Sequence, residues 1–484
     1  MPTAFPPPNT LLEKISLSII QTLARKNKVS IYLVGGALRD FILGRPSCDF
    51  DFAVSRNALK VARQFADQIK GSYVLLDQEH GCARVIKKKG EETFIYDFAD
   101  FRQKTLKGDL YHRDFTLNTL CVDIAGLKTA VELNEILVDP HGGLKDISRK
   151  KIRMTSAKSF VDDPLRVLRA FSLKAQLGFA IENETLRQLK NDQHRLREVA
   201  WERKREELFK ILAAPQTAEH FKAMDKIGLL SELIPQITVM YKVTQGGYHH
   251  LDVWPHSLET VAQLEGVFAQ FHNDPDIKDY LNEDLGGDHK RFTIMKFAAL
   301  LHDIGKPETK KVEPERTSFH GHEKVGKDIV RKIGKMLKIS TRERYALEDM
   351  VYWHLRPGYL SNFKSPSPRS VFRYFRDTKD EAVAILLLSL ADQRSTRGPL
   401  TTEDDQRHHE KIVKKLIQQK IAEWHTEPFV RLIDGHDVLR RLKIKPSPLV
   451  GKILKKVEEQ QVLGKIKTKK EALELAVRIG TKAG

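Results

Sequence analysis

The sequence predicts an α/β or α+β fold over residues 1–150, taken as α+β, and an all-α fold for the rest of the chain. Three observations predict it. Short β-branched and aromatic runs alternate with helical stretches in the first part. From about Phe160 onward the pattern turns helical, with Leu165, Leu168, Phe171 and Leu173 opening a long amphipathic run. A length of 484 residues exceeds one ordinary domain and points to about three or four units. In chain order, the expected strands are Ser30–Val34, Asp49–Val54, Ser72–Leu76, Ala83–Ile86 and Phe94–Phe98, with a helix over Ala58–Ile69 between the second and third. Polar, Gly- and Asp-rich Asn273–His289 reads as a loop, as does Ser365-Pro366-Ser367-Pro368. The chain from about Leu432 is lysine-rich and helical.

Composition narrows the partners. Lysine and arginine (82) exceed aspartate and glutamate (64), a formal charge of +18. That surplus favours a polyanionic partner, with a lysine-rich solvated surface as the competing explanation. No apolar run is long enough to span a bilayer, so no membrane partner is expected. The opening Met1-Pro2-Thr3-Ala4-Phe5-Pro6-Pro7-Pro8 has no basic segment followed by an apolar core, so no secretory signal is expected. Cys48, Cys82 and Cys121 have no metal-type spacing and suit a reducing cytoplasm, the expected location.

The first chemistry-bearing residues follow the first expected strand. Ile31-Tyr32-Leu33-Val34 runs into Gly35-Gly36-Ala37-Leu38-Arg39-Asp40, where two glycines let the backbone approach a phosphate and Arg39 can pair with its oxygens. On Asp49-Phe50-Asp51-Phe52, the two-residue period of a strand puts Asp49 and Asp51 on one face and the phenylalanines on the other. Two adjacent carboxylates repel unless a cation sits between them, and magnesium bound by carboxylates and substrate phosphates fits. Asp97, on a candidate neighbouring strand, is a weaker third carboxylate.

Together these residues resemble the polymerase-beta-type nucleotidyltransferase superfamily. Later segments narrow the resemblance to the class II tRNA nucleotidyltransferase and bacterial poly(A) polymerase family. Tyr111-His112-Arg113-Asp114-Phe115-Thr116-Leu117-Asn118 resembles its Arg-Arg-Asp-x-x-x-Asn motif, which contacts the nucleotide. His112 stands in place of the first arginine, so Arg113, Asp114 and Asn118 carry over. Asp139–Asp146 resembles the hinge between head and neck. Asp162-Asp163-Pro164-Leu165-Arg166-Val167-Leu168-Arg169 resembles the Glu-Asp-x-x-Arg motif that replaces a nucleic-acid template. Pro164 suits a first helical turn with Asp163 as its cap, which would project Asp163 and Arg166 to one side. Such a pair can offer acceptor and donors to a base edge. Asp162 stands where the family has Glu, and Ser172 where many members carry a third arginine. Glu202–Leu208 resembles the next helix motif and is equally a charged helix face.

Further along, His256, His302, Asp303, His322, His354 and Asp392 form an ordered series of His and Asp, ligands expected of a divalent-metal hydrolase. The series resembles the HD phosphohydrolase domain, with a metal whose identity the residues leave open. His249, His250 and His320 are read as surface or supporting residues. Leu432–Asp437 and Lys443–Pro446 resemble the family's tail, which reaches the tRNA elbow. Lys452, Lys455, Lys456, Lys465, Lys467, Lys469 and Lys470 fit a phosphate-contacting surface or a solvated face at even odds.

The resemblance therefore implies a polymerase-beta-type nucleotidyltransferase head (1–150), a helical neck with a nucleotide- and RNA-binding motif (151–240), an HD domain (241–400) and a helical RNA-binding tail (401–484). Its implied reaction is attack of a tRNA 3′-hydroxyl on the α-phosphate of CTP or ATP, with release of pyrophosphate. Asp49 and Asp51 would be catalytic and hold Mg2+. Gly35, Gly36, Arg39, Arg113, Asp114, Asn118, Asp163, Arg166 and Arg169 would bind the nucleotide. Between Arg102 and Asp109 only Gln103–Gly108 intervene, where family members that complete CCA carry a flexible loop. A CC-adding enzyme is therefore expected, with full CCA addition as the alternative. Poly(A) polymerase remains a rival, as does an HD phosphohydrolase with a nucleotide-sensing head.

Overall fold

Alternation along Asp49–Val54 decides the architecture of the amino-terminal part: Phe50 and Phe52 are buried and Asp49 and Asp51 are not. The structure is a computed structural model that describes residues 15–127, 136–287, 289–314, 316–427 and 429–481. The opening Met1–Pro8 segment lies outside them. The chain forms two compact units, residues up to 211 with 223–233, and residues 212–222 with those from 234 onward.

The first unit holds a seven-stranded mixed sheet. Its strands are β1 (Ile31–Val34), β2 (Asp49–Val54), β3 (Ser72–Asp77), β4 (Cys82–Lys89), β5 (Glu92–Asp100), β6 (Cys121–Asp123) and β7 (Leu137–Val138), in the spatial order β3-β4-β5-β2-β1-β6-β7. β2 and β5 run parallel, and the other neighbouring pairs are antiparallel. One face is apolar because Phe50 stacks on Tyr96 at 5.6 Å and Phe52 on Phe98 at 4.9 Å. Helix Ala58–Ile69 covers these rings, presenting buried Val61, Ala62, Phe65 and Ala66. Its start is fixed from the sheet: Asp100 Oδ1 accepts the Ala58 N–H at 2.8 Å. The α+β expectation holds, and the helix lies where the sequence placed it. β4 and β5 run longer than expected because Lys87–Lys89 pair with Glu92–Phe94 without an apolar signal.

The helices of the neck follow, chiefly Arg166–Leu177, Asn183–Asp192 and Trp201–Ala213. The second unit is helical apart from a hairpin of Lys311–Glu313 with Arg316–Ser318. Its core is built on two helices buried on nearly every side, Arg291–Leu301 and Ala382–Ser395. Around them stand Val253–Gln270, His322–Met336, Thr341–Trp353 and Glu403–Trp424. Toward the carboxyl end, helices Gly435–Leu442, Pro448–Val462 and Lys469–Thr481 share a small core of Val438, Ile453, Val457, Ala472 and Ala476. One loop expectation is corrected: within Asn273–His289, Pro275–Asn282 is a helix. Asp274 caps it by accepting the Ile277 N–H at 3.1 Å, and Ile277 and Leu281, four apart, are buried.

Phe65 is fully buried, with Tyr96 at 5.0 Å and Phe98 at 5.3 Å. Phe65→Ala is expected to destabilise the first unit by about 3–5 kcal/mol. The check is urea unfolding followed by hydrogen exchange on β2 and β5. A loss below about 1 kcal/mol would mean that this layer does not hold the sheet.

Candidate active site and a second candidate metal centre

The polar face of the sheet carries a row of charge. In the parallel register Asp51 lies beside Asp97 of β5, and in the antiparallel register Asp97 lies beside Arg84 of β4. Cross-strand partners share a face, so all three side chains project to the same side. Arg84 donates through Nε and Nη2 to the two Asp97 oxygens, each at 2.8 Å. Burial raises the Asp49 carboxyl above its ordinary value and Asp97 raises it further, with Arg84 and Lys210 offsetting part of this. Asp51 is exposed, yet desolvation by the groups packed around it raises its carboxyl, against which Arg113 and Arg169 pull down while Asp97 and Asp49 push up. These acids sit where their ionised forms lack compensating positive charge, and a divalent cation fits that deficit.

Gly35 is required beside them. Its φ is +82°, and a Cβ there would lie 2.9 Å from Asp51 Oδ2 and 3.2 Å from Arg113 Nη1. A network supports this turn. Buried Asp114 accepts from the Phe115 N–H at 2.8 Å, from Asn118 Nδ2 at 3.0 and 3.1 Å, and from Arg169 Nε at 2.8 Å. Burial opposes the Asp114 charge, yet Arg169 and these donors hold its carboxyl below the usual value. Asn118 Oδ1 in turn accepts from Arg39 Nη1 at 2.8 Å, and Arg39 also donates to Asp40. Arg39 is buried in these contacts. A cavity of about 290 Å³ opens in front, lined by Asp51, Asp97, Arg102, Asp109, Arg113, Asp114, Asp163, Arg166 and Arg169. Gly35, Gly36, Arg39, Asp49 and Asn118 are not among its lining residues.

The helix expected to begin around Pro164 begins at Arg166. Asp163 is extended, with φ −147° and ψ 100°. That is the conformation a proline imposes on its predecessor and a cap requires, and Asp163 Oδ1 accepts the Leu165 N–H at 3.2 Å, so Asp163 caps a first turn of Pro164 and Leu165. Asp163 and Arg166 therefore reach the cavity from different conformations. Asp163 pairs with Arg203 at 2.9 Å. Arg166 donates through Nη2 to the His112 carbonyl at 2.7 Å and through Nη1 to Ser159 O and Oγ at 3.1 Å. Ser172 donates to Glu207. The sequence does not single out Arg84, and names Arg203 only as part of the Glu202–Leu208 motif. The alternation of Cys82–Lys89 signals Arg84 once the pairing with β5 is known, whereas Arg203 sits on a helix that reads equally as a solvated face.

The second unit gathers the expected series. His302-Asp303 ends helix Arg291–Leu301, His256 lies in the first turn of Val253–Gln270, and His322 starts its helix. His354 follows Thr341–Trp353, and Asp392 lies near the end of Ala382–Ser395. Two groups result, His256–His302–Asp392 and Asp303–His322–His354. Asp303 joins them. Its Oδ2 lies 3.2 Å from His302 Nε2 and 3.6 Å from His256 Nε2, and its Oδ1 3.4 Å from His322 Nε2 and 3.8 Å from His354 Nε2. The Nδ1 atoms of His302, His322 and His354 bond the carbonyls of Ala299, Phe319 and Val351 at 2.7–2.8 Å. That leaves each Nε2 facing the centre, the arrangement of metal-ligating imidazoles. His302 Nε2 is buried and, although 3.2 Å from Asp303 Oδ2, makes no well-directed hydrogen bond, which suits a metal ligand. Burial disfavours a charged His302, but Asp303 and Asp392 more than offset it and push its pKa up to about 10. Burial, His322 and His302 push His354 down to about 3. Gly305 has to be small, since a Cβ would lie 2.2 Å from the His322 carbonyl. His249 packs edge-on against His256 at 4.7 Å, while His250 and His320 are exposed.

Residues 31–153 match the family described as the Poly A polymerase head domain, and 178–240 the “Probable RNA and SrmB- binding site of polymerase A”. Residues 276–397 match the HD domain, and 403–477 tRNA nucleotidyltransferase domain 2. An A-adding tRNA nucleotidyltransferase of Deinococcus radiodurans is 32% identical over 452 residues, 91% of this chain and 93% of that one. A CC-adding tRNA nucleotidyltransferase of Thermus thermophilus is 28% identical over 451 residues, 91% of each. The structure of the Thermotoga maritima CCA-adding enzyme complexed with tRNA_CCA has the same fold, with a TM-score of 0.61 and 22% identity over 98% of each chain. The chain belongs to the class II tRNA nucleotidyltransferase and bacterial poly(A) polymerase family, and is an RNA nucleotidyltransferase carrying an HD domain. Membership implies a divalent cation. Among the described residues no helix is long and apolar enough to cross a membrane.

Because Asp51 is raised by its surroundings, wild-type stability without cation falls as pH rises through the folded-state pKa, and Asp51→Asn escapes that loss. The variant is expected to melt at or above wild type in cation-free buffer at neutral pH, with the gap closing in acid. Magnesium plus CTP should raise the melting point of wild type alone, and nucleotide addition should fall by about 100-fold or more. A variant that turns over near normally removes Asp51 from the chemistry.

Proposed function

We propose that this enzyme adds cytidines to the 3′ end of tRNA, using CTP and Mg2+, and leaves the terminal adenosine to a separate enzyme. The observation that carries this reading is the connection from β5 to helix Leu106–Tyr111, only Phe101–Thr105 long. It is pinned at both ends. The Phe101 N–H donates to the Val54 carbonyl at 2.9 Å, and the Arg102 N–H to Asp109 Oδ1 at 3.0 Å. Thr105 Oγ1 caps the helix by accepting the Gly108 N–H at 3.2 Å. Reshaping a pocket from cytosine to adenine needs a segment that moves, and five tethered residues have little reach. The CC-adding relatives support the same reading, the A-adding relative at 32% identity favours the alternative that the test below separates, and the +18 charge fits a tRNA partner in either case.

In this mechanism Asp49 and Asp51 would hold the cations, while Arg84 occupies both oxygens of Asp97. When bound, divalent cations supply charge stabilisation to the triphosphate and activate the attacking hydroxyl. Arg113 and Asp114 orient the ribose and phosphates, while Gly35, Gly36, Arg39 and Asn118 hold that element against β2. Arg169, tied to Asp114, links it to the helix that presents Arg166. Asp163 and Arg166 offer an acceptor and donors to the base edge. The Arg166 guanidinium is held by the His112 and Ser159 oxygens, so its plane is set before a base arrives.

The test uses tRNA ending in CC offered ATP alone, beside tRNA lacking its last three nucleotides offered CTP. Two cytidines on the second substrate and negligible product on the first are expected. Efficient conversion of CC to CCA would establish CCA or A addition, and a long adenosine tail would establish poly(A) polymerase.

The histidine cluster favours a second activity, hydrolysis of small phosphate esters with a divalent metal held on both sides of Asp303. His302→Ala with Asp303→Ala is expected to remove phosphatase or phosphodiesterase activity and spare nucleotide addition. Absence of hydrolysis by wild type with magnesium, manganese, nickel and cobalt would refute this activity.

A further inference from the structure

Two of the three departures from the family's motifs, His112 and Asp162, meet in space. Helix Leu106–Tyr111 is capped by His112, and the short helix Ser159–Asp162 ends at Asp162. His112 Nδ1 lies 3.2 Å from Asp162 Oδ2, with each side chain about a third exposed. His112 has two further contacts. Its Nε2 lies 3.3 Å from the side-chain amide of Gln103, and its carbonyl accepts from Arg166 at 2.7 Å. Asp162 directly precedes Asp163, which Pro164 holds extended. One residue thus touches the short connection, the segment bearing Asp163, and the Arg166 guanidinium.

We propose that the His112–Asp162 pair sets the width of the base-binding end of the cavity and so favours a pyrimidine over the larger purine. This rests on the cytidine-adding reading above. Both sides of that end are tied to the pair. Displacing Asp162 shifts Asp163, because an extended residue before a proline has no slack to absorb the movement. Displacing His112 shifts the carbonyl that anchors Arg166. A histidine and an aspartate are short, and their contact draws the two segments together. An arginine and a glutamate at the same positions would make the same type of contact across more bonds and hold the segments further apart. His112 and Asp162 are positioning residues: they act on the base through Asp163 and Arg166.

The test compares the full-length enzyme with His112→Arg, Asp162→Glu, the double variant and Asp162→Asn. The reading is kcat/KM for CTP and for ATP on tRNA lacking its last three nucleotides, together with the Kd of each nucleotide without tRNA. The double variant is expected to retain CTP use within a few-fold while its CTP-over-ATP preference falls about tenfold in both measurements. Each single variant keeps a donor–carboxylate contact of intermediate length, and should shift the preference in the same direction by less than the double. Asp162→Asn keeps the shape and removes the charge, and should shift the preference about threefold. An unchanged preference in the double variant, or equal slowing for both nucleotides in every variant, overturns the proposal. If the double variant gives no cooperative melt, Asp162→Asn decides alone, and an unchanged preference there overturns it. Wild type that converts CC to CCA refutes the cytidine-adding reading alone, because the shift in preference is still read from the same variants.

Discussion

Repulsion between two carboxylates two residues apart on one strand is the constraint around which the amino-terminal unit is organised. Asp49 and Asp51 face the same way because the strand alternates, and they are held there because Phe50 and Phe52 are locked into the aromatic layer beneath. The stability of that layer is what keeps the acids close despite their mutual cost. Desolvation and Asp97 work against ionisation, and positive charge from Arg113 and Arg169 offsets part of it. The missing increment is what a divalent cation supplies. The glycine turn after β1, the Asp114 network and the Arg169 tie all serve to bring further groups up to this one spot.

The histidine cluster of the second unit meets a comparable problem differently. There two carboxylates, Asp303 and Asp392, stand among the imidazoles of His256, His302, His322 and His354. Burial works against the Asp303 charge, but His302 and Lys306 hold that carboxyl well below the ordinary range. Carbonyl partners on the Nδ1 side fix the rings, so the cluster is shaped before any ion arrives. The head, by contrast, presents bare oxygen ligands beside an open cavity. Oxygen ligands next to substrate space suit a hard cation that also binds phosphates, and imidazoles around a bridging carboxylate suit a borderline metal.

How much of this could be read from the sequence follows from the range of each signal. The alternation of Asp49–Val54 and the amphipathic helix Ala58–Ile69 are local patterns, and both elements are found where the sequence places them. The ordered series from His256 to Asp392 was also visible. That Asp303 stands between two groups was not, because it depends on which oxygen faces which helix. Asp97 was visible only as a carboxylate on a nearby strand. Its place beside Asp51 comes from a parallel register set by the intervening helix and hairpin, and no short window contains that. Arg84 was missed for the same reason. The cap at Asp163 is legible, since its Oδ1 accepts the Leu165 N–H at 3.2 Å, but the sequence does not show that Pro164 and Leu165 form a turn before the regular helix opens at Arg166. Helix Pro275–Asn282 was lost to its many charged residues, although Asp274 before Pro275 marks a helix start.

The central claim is that the acid row of the sheet binds cations together with the nucleotide. The most direct measurement is the number and affinity of Mn2+ ions bound, read by electron paramagnetic resonance, in full-length protein with and without a non-hydrolysable CTP analogue. The histidine cluster is silenced in this background by His302→Ala and Asp303→Ala. The account predicts Mn2+ binding that the analogue strengthens and that Asp49→Asn with Asp51→Asn removes. Equal Mn2+ binding in that variant, with the same response to the analogue, would contradict it.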